Sequence, residues 1–124
     1  MIKVLLVDDD EMVRYALRSA FQIADIVVVE KSNGSFVRTP GILEDVDVVV
    51  TDILMPNVEG IELITTLNEV APHIPVIAMS GGGRLNSQDY LTSASDLGAA
   101  AVFSKPLDEV KLVDKVRELA ALKH

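Results

Sequence analysis

The chain has 124 residues, of which 49% are hydrophobic and 24% charged, a globular balance that predicts a single domain over residues 1–124 and argues against disorder. Its formal net charge of −8 repels nucleic acid and anionic lipid, so cations and basic protein surfaces are the expected partners. The absence of cysteine excludes disulfides and thiolate chemistry, and Lys3 and Asp8 interrupt the first apolar stretch too early for a signal peptide or a membrane span. We expect a cytoplasmic protein that binds neither nucleic acid nor membranes.

Five short apolar segments predict five β-strands. They are Ile2 to Val7, Ile26 to Val29, Val46 to Val50, Pro75 to Met79, and Ala99 to Phe103. Several of them are unbroken apolar runs instead of alternating patterns, which is typical of parallel strands that are buried on both faces.

Segments with helical spacing lie between and after these strands. The predicted apolar faces are Val13, Ala16, Leu17, Ala20 and Phe21 in the first helix, Gly60, Leu63, Ile64 and Leu67 after the third strand, and Leu112, Val113, Val116, Leu119 and Ala120 in the last helix. Asp10 and Asp108 are predicted to cap the first and last helices. Glycine and proline between residues 33 and 41 predict only a short or irregular helix after the second strand. A further helix is predicted over Ser87 to Leu97, with Tyr90, Leu91 and Ala94 facing inward.

Strands that alternate with helices predict an α/β fold, with a parallel sheet covered on both faces through right-handed crossovers. In such a sheet, side chains at the carboxyl ends of the strands meet at one edge, where ligands bind. Asp8 and Asp9 follow the first strand, Asp52 the third, Ser80 the fourth, and Lys105 the fifth. Four of the five strands therefore deliver a reactive polar side chain to the same edge.

These side chains predict phosphoryl chemistry supported by a metal ion. Carboxylates that converge from two adjacent strands repel one another unless a cation lies between them, and Mg²⁺ prefers such oxygen ligands. With the metal present, Asp52 is a candidate nucleophile toward phosphorus. Lys105 and the Ser80 hydroxyl then offer a cation and a hydrogen-bond donor to the phosphoryl oxygens.

Four segments, in this order and spacing, resemble the receiver domain of bacterial two-component response regulators over essentially the whole chain. They are VLLVDDDEMVR (residues 4 to 14), VVVTDILMPNVEGIEL (48 to 63), PVIAMSG (75 to 81) and LGAAAVFSKPLD (97 to 108). The resemblance implies a single receiver domain with a doubly wound, flavodoxin-like sheet of five parallel strands in the order 2-1-3-4-5. It also implies that the chain catalyses only its own phosphotransfer and autodephosphorylation.

The same resemblance assigns roles to the candidate site residues. Asp8 and Asp9 become the metal-binding acidic pair, with Asp9 the direct ligand, and Leu54 adds its backbone carbonyl to the Mg²⁺ site. Asp52 becomes the phosphoacceptor, which also contacts the metal. Ser80 stands at the hydroxyl position, and Lys105 is the lysine that pairs with the phosphate, with an expected cis peptide bond to Pro106.

The implied partners are a sensor histidine kinase or a histidine phosphotransfer protein, and a downstream protein target. The resemblance places the docking surface for that target on the predicted fourth helix, the fifth strand and the last helix. The sequence leaves the identity of the kinase and of the target open. It also leaves open whether the chain is a natural single-domain protein or a receiver excised from a hybrid histidine kinase or a larger regulator.

One position departs from the family pattern. Many receivers carry an aromatic residue three positions before the lysine, where this chain has Val102; Phe103 comes one position later and is expected to face the other side of the sheet. In such receivers the aromatic side chain swings inward when the hydroxyl residue moves. Our hypothesis is that movement of the loop containing Gly81 to Gly83 takes the place of this swing.

Three other functions are compatible with parts of the sequence. The Asp8 to Asp10 run resembles the start of haloacid-dehalogenase-type phosphatases, in which Asp8 would be the nucleophile. A flavodoxin-like mononucleotide binder shares the fold, although three aspartates after the first strand would repel its phosphate. A pseudo-receiver that acts only as an interaction module would not need Asp9, Asp52, Ser80 and Lys105 together.

Overall fold

The computed structural model describes residues 1–39, 41–53, 60–80 and 98–122. Within these residues, five strands form one sheet: β1 (Lys3–Val7), β2 (Val27–Lys31), β3 (Val48–Asp52), β4 (Val76–Ser80) and β5 (Ala101–Ser104). Every neighbouring pair is parallel, and the strand order is β2-β1-β3-β4-β5. The structure confirms the predicted α/β fold with the strand order 2-1-3-4-5.

Three α-helices lie in the described residues: α1 (Glu11–Ile23), α2 (Gly60–Val70) and α3 (Glu109–Leu122). A short 3₁₀ helix, Gly34–Arg38, follows β2, which confirms the irregular helix expected there. Asp10 accepts the Met12 N–H at 2.9 Å and caps α1, and Asp108 accepts the Lys111 N–H at 3.1 Å at the start of α3. Both predicted caps are therefore confirmed. The helix predicted over residues 87–97 lies outside the described residues.

The sheet is covered on both faces. On one face, α2 and the 3₁₀ helix contribute Leu63, Ile64, Leu67 and Phe36 to a core that includes Leu5, Val7, Val49 and Ala78 of the strands. On the other face, α1 and α3 contribute Leu17, Phe21, Leu112 and Val116 to a core that includes Val4, Leu6, Val50 and Met79. Successive residues of each central strand thus point into different cores, which explains why the apolar runs of these strands are unbroken.

Several details of the predicted elements were wrong. The strands differ from their predicted bounds by one or two residues, and β2 and β5 end at Lys31 and Ser104 instead of Val29 and Phe103. The third and fourth strands were predicted to end at Val50 and Met79, but β3 includes Asp52 and β4 includes Ser80. The apolar runs stop before these polar side chains, whereas backbone pairing continues, with Ile53 N–H donating to Met79 O at 3.0 Å. Ala16, predicted on the buried face of α1, is exposed because it lines the groove between α1 and α3.

None of the helices among the described residues is both long enough and apolar enough to cross a lipid bilayer.

Candidate functional site

The polar ends of four strands meet at one edge of the sheet. Asp8 follows β1 directly, Asp52 and Ser80 are the last residues of β3 and β4, and Lys105 follows β5. Because the strands are parallel and hydrogen-bonded in register, their carboxyl ends share this edge. Asp8 and Ser80 are fully buried and Asp52 is 5% exposed. The predicted residues are thus brought together in a mostly buried site.

Three carboxylates form a compact oxygen cluster at this edge. Asp8, Asp9 and Asp52 each offer one oxygen atom, and these atoms all lie within 4.8 Å of one another. Asp9 is exposed, whereas the other two residues are buried. Carboxylate oxygens that open toward water on one side suit Mg²⁺, which binds through one or two carboxylates and keeps several waters. Leu54, whose carbonyl was predicted to join this site, lies outside the described residues.

Lys105 connects the two buried carboxylates. Its ammonium nitrogen, Nζ, lies 2.8 Å from Asp8 Oδ2 and 3.2 Å from Asp52 Oδ2. The peptide bond from Lys105 to Pro106 is cis, as expected. The backbone N–H of Lys105 donates to Ser80 O at 2.8 Å, so the lysine is attached to the end of β4 as well. One cation therefore serves two buried anions.

The environment shifts the pKa of both Asp8 and Lys105 upward. Burial raises the pKa of Asp8 above its usual value; hydrogen bonds from Lys105 and from the Asp10 N–H oppose this, and the charge of Asp52 adds to it. Burial alone would lower the pKa of Lys105, but the hydrogen bond and charge of Asp8, followed by those of Asp52, raise it overall. The lysine is thus held in its charged form, and the Asp8 carboxylate is costly to ionise.

The hydroxyl of Ser80 is a buried polar group whose hydrogen-bonding capacity is not satisfied. Its Oγ atom is fully buried and has no hydrogen-bond partner among the described residues. A buried hydroxyl without a partner costs free energy, and such groups are often found where a ligand completes the hydrogen bond. The neighbouring Thr51 differs, since its Oγ1 donates to Asp52 O at 2.9 Å.

The backbone around Asp8 is fixed from several directions. Its N–H donates to Lys31 O at 3.1 Å, and its Oδ1 accepts the Asp10 N–H at 2.9 Å. Its carbonyl oxygen accepts a hydrogen bond of 2.6 Å from Nη1 of Arg14, a residue of α1. No role was predicted for Arg14, because its acceptor is a backbone carbonyl that no side-chain motif marks.

The model of the family described as "Response regulator receiver domain" matches residues 4–117 of the chain. The chain is a response regulator receiver domain. Receiver domains act in two-component signalling, and as a family they are phosphorylated and generally bind Mg²⁺ at an acidic cluster. In this receiver domain Asp8, Asp9 and Asp52 lie close together.

Curated relatives agree with this assignment. The receiver domain is 31% identical over 116 residues to the transcriptional regulatory protein FixJ of Azorhizobium caulinodans, covering 94% of this chain and 54% of FixJ. It is 30% identical over 121 residues to the sporulation initiation phosphotransferase F of Bacillus subtilis, covering 98% of this chain and 95% of that protein. The chain therefore spans about half of FixJ but nearly all of the phosphotransferase.

Solved structures share the fold. A receiver domain protein from Clostridium thermocellum superimposes with a TM-score of 0.87 at 23% identity, covering 99% of this chain and 97% of that one. The receiver domain of the Francisella response regulator 1452 gives a TM-score of 0.85 at 25% identity, covering 100% of both chains.

The strand β5 carries the departure noted in the sequence. Val102 is exposed, whereas Phe103 is half-buried and packs against the core beneath α1 and α3. Phe103 thus faces away from the side on which Val102 stands, as the strand alternation predicted. The loop of Gly81 to Gly83, which our hypothesis makes the mobile element, lies outside the described residues.

Proposed function

We propose that this receiver domain accepts a phosphoryl group on Asp52 from the phosphohistidine of a sensor histidine kinase or a histidine phosphotransfer protein. The observation that carries the proposal is the position of Lys105 Nζ, which lies within hydrogen-bonding distance of both Asp8 and Asp52. From this position the Lys105 ammonium can hydrogen-bond the phosphoryl oxygens when a phosphoryl group is transferred to Asp52. The unpartnered Ser80 hydroxyl at the same edge supplies a further donor.

The proposed transfer forms one P–O bond and breaks one P–N bond. A carboxylate oxygen of Asp52 attacks phosphorus and forms the new P–O bond, while the P–N bond to the donor histidine breaks. The imidazole leaves with the electron pair and takes up a proton. Lys105 and Ser80 hydrogen-bond the phosphoryl oxygens, and because the transition state is largely dissociative, such charge neutralisation matters more than a base.

Asp8, Asp9 and Asp52, with the carbonyl of Leu54, are the proposed ligands of Mg²⁺. When bound, the metal neutralises negative charge on the phosphoryl oxygens and on the carboxylates. Asp9 is the proposed direct ligand, since it is exposed, and Asp8 orients the site from its buried position. Three carboxylates that converge at this edge repel one another, which favours a divalent cation between them.

The proposed role is that of a switch, not of an enzyme with a separate substrate: the domain would catalyse its own phosphotransfer and autodephosphorylation. It would act in the cytoplasm on a downstream protein that docks on β5, α3 and the segment between β4 and β5. This role is compatible with a domain that works alone and with one that is part of a longer regulator. The relatives include both cases, since the chain covers 54% of FixJ and 95% of the sporulation phosphotransferase.

The phosphatase alternative, in which Asp8 is the nucleophile, is less favoured. Asp8 is fully buried, its Oδ1 accepts the Asp10 N–H and its Oδ2 accepts from Lys105. An attacking oxygen must be free to reach phosphorus, and Asp52 is the less enclosed of the two carboxylates.

Phosphotransfer from a radiolabelled histidine phosphotransfer protein tests the proposal. The label should move to the wild-type domain in the presence of Mg²⁺, should not move to Asp52→Asn, and should move normally to Asp25→Asn. Asp25 is an exposed carboxylate in the turn after α1, at φ +61°, a conformation that asparagine tolerates. Transfer to Asp52→Asn at the wild-type rate would refute the assignment.

A further inference from the structure

Asp9 is the least anchored member of the carboxylate cluster. Asp8 is held through both of its side-chain oxygens, by Asp10 and Lys105. The exposed Asp9 carboxylate makes no hydrogen bond and no ion pair with other residues in the described parts of the chain. Its position near Asp8 and Asp52 therefore depends on the backbone from which it projects.

Arg14 holds that backbone. It is the fourth residue of α1, with a side chain that is 17% exposed, and its Nη1 donates to the carbonyl oxygen of Asp8 at 2.6 Å. This carbonyl belongs to the peptide unit that joins Asp8 to Asp9. Because a peptide unit is planar, a bond to its oxygen also fixes the direction in which the chain enters Asp9.

The guanidinium of Arg14 is itself anchored from the edge strand β2. Glu30 lies 3.4 Å from Nε of Arg14 through Oε1, and 2.6 Å from Nη1 of Arg18 through Oε2. Arg18 lies 5.2 Å from the centroid of the Tyr15 ring. Glu30 thus orients Arg14 and also offsets its positive charge, which would otherwise oppose the binding of a cation nearby.

We propose that Arg14 is a positioning residue for the metal site: by holding the Asp8 carbonyl, it presents the Asp9 carboxylate to Mg²⁺ next to Asp8 and Asp52. The inference rests on the proposed function, in which these carboxylates bind Mg²⁺. Arg14 does not contact the metal in this account. It acts through the peptide unit, as residues behind metal ligands commonly do.

Isothermal titration of the metal-free domain with Mg²⁺ alone tests the inference. Arg14→Met should weaken Mg²⁺ binding by about tenfold, the lower end of the range for groups that orient metal ligands. Arg14→Lys should fall between Arg14→Met and wild type, because an ammonium cannot make both of the guanidinium contacts. Arg18→Met is the matched control, since Arg18 shares Glu30 but does not contact Asp8, and its affinity should stay within about twofold of wild type.

The outcomes separate the two proposals. If the wild type takes up no Mg²⁺, the proposed function fails, and the inference fails with it. If the wild type binds Mg²⁺ and both Arg14 variants bind it equally well, only the positioning role is overturned, and any loss of unfolding free energy in these variants is then structural. If Arg14→Met does not fold, Arg14→Lys decides the question, because wild-type affinity in that variant contradicts the inference. Amide chemical shifts of Asp9 and Asp10 in the metal-free domain should change in the Arg14 variants and not in Arg18→Met.

Discussion

Lys105 Nζ lies closer to Asp8 Oδ2, at 2.8 Å, than to the carboxylate of Asp52, at 3.2 Å. The lysine that we assign to the phosphoryl group thus pairs first with a residue of the metal site. With Asp8 and Asp52 both buried, this arrangement concentrates two negative charges around one positive charge. The stability of the domain should therefore respond to any change in that balance.

Replacing Lys105 by methionine should destabilise the metal-free domain by about 3 kcal/mol, because it leaves two buried carboxylates without their cation. Urea unfolding in EDTA measures this loss. Mg²⁺ should recover part of it, since the metal supplies a replacement charge. Lys115→Met is the control: its partner, Glu118, is exposed, so its loss should stay below about 1 kcal/mol. Equal losses of unfolding free energy in the two variants would show that the buried ion pairs of Lys105 contribute no more to stability than the exposed pair of Lys115.

Asp8→Asn should stabilise the metal-free domain at neutral pH by about 1 kcal/mol, the scale of an ordinary point mutation. Burial raises the pKa of Asp8 above 3.8 in the folded state, so the folded state holds its proton more tightly than the unfolded state does. This stability contribution is complete below about pH 3.8 and is lost as the pH rises through the higher, folded-state pKa. The asparagine variant lacks this loss, so its advantage over wild type should grow with pH across that window.

Unfolding curves of both proteins in EDTA, measured from acidic to neutral pH, check this sign. Asp25→Asn, which changes an exposed carboxylate, should show no such growing advantage. An Asp8→Asn variant that loses stability relative to wild type as the pH rises would contradict the account of Asp8.

Magnesium should raise the unfolding free energy of the wild-type domain with the logarithm of its concentration. At ten times the dissociation constant the gain is about 1.4 kcal/mol, if the metal binds only the folded state. Asp9→Asn should lose most of this gain, because Asp9 is the exposed oxygen donor of the cluster, whereas Asp25→Asn should keep it. Thermal unfolding in a chloride series at constant ionic strength separates specific binding from screening, and an equal response of all three proteins would indicate screening alone.

Ser80→Ala should leave stability nearly unchanged but slow phosphotransfer by about a hundredfold, the lower end of the range for losing one hydrogen-bond donor to a developing charge. Its Oγ is buried without a partner in the described structure, so removing it sacrifices no hydrogen bond there. Thr51→Val should instead lower the unfolding free energy by about 1 kcal/mol, because it loses the hydrogen bond to Asp52 O. Urea unfolding and transfer rates, measured on both variants, give the comparison, and a stability loss in Ser80→Ala as large as in Thr51→Val would count against the open hydroxyl.

The fold and most of the site could be predicted from the sequence, because the apolar runs and the polar residues at their ends report directly on buried parallel strands. The predicted ends of β2, β3, β4 and β5 were too early, since polar side chains at Lys31, Asp52, Ser80 and Ser104 do not stop the backbone from pairing. The preference of Lys105 for Asp8 could not be predicted, because these residues are 97 positions apart and the choice depends on sub-ångström placement. The contact of Arg14 could not be predicted either, because its acceptor is a backbone carbonyl oxygen, which every residue carries.

The most direct test of the central claim is treatment of the domain with acetyl phosphate, with and without Mg²⁺, followed by mass spectrometry of the intact chain and its peptides. We predict one phosphoryl group per chain on Asp52, formed only with Mg²⁺ and absent from Asp52→Asn. A phosphoryl group on Asp8, or no modification of the wild type under these conditions, would contradict the account.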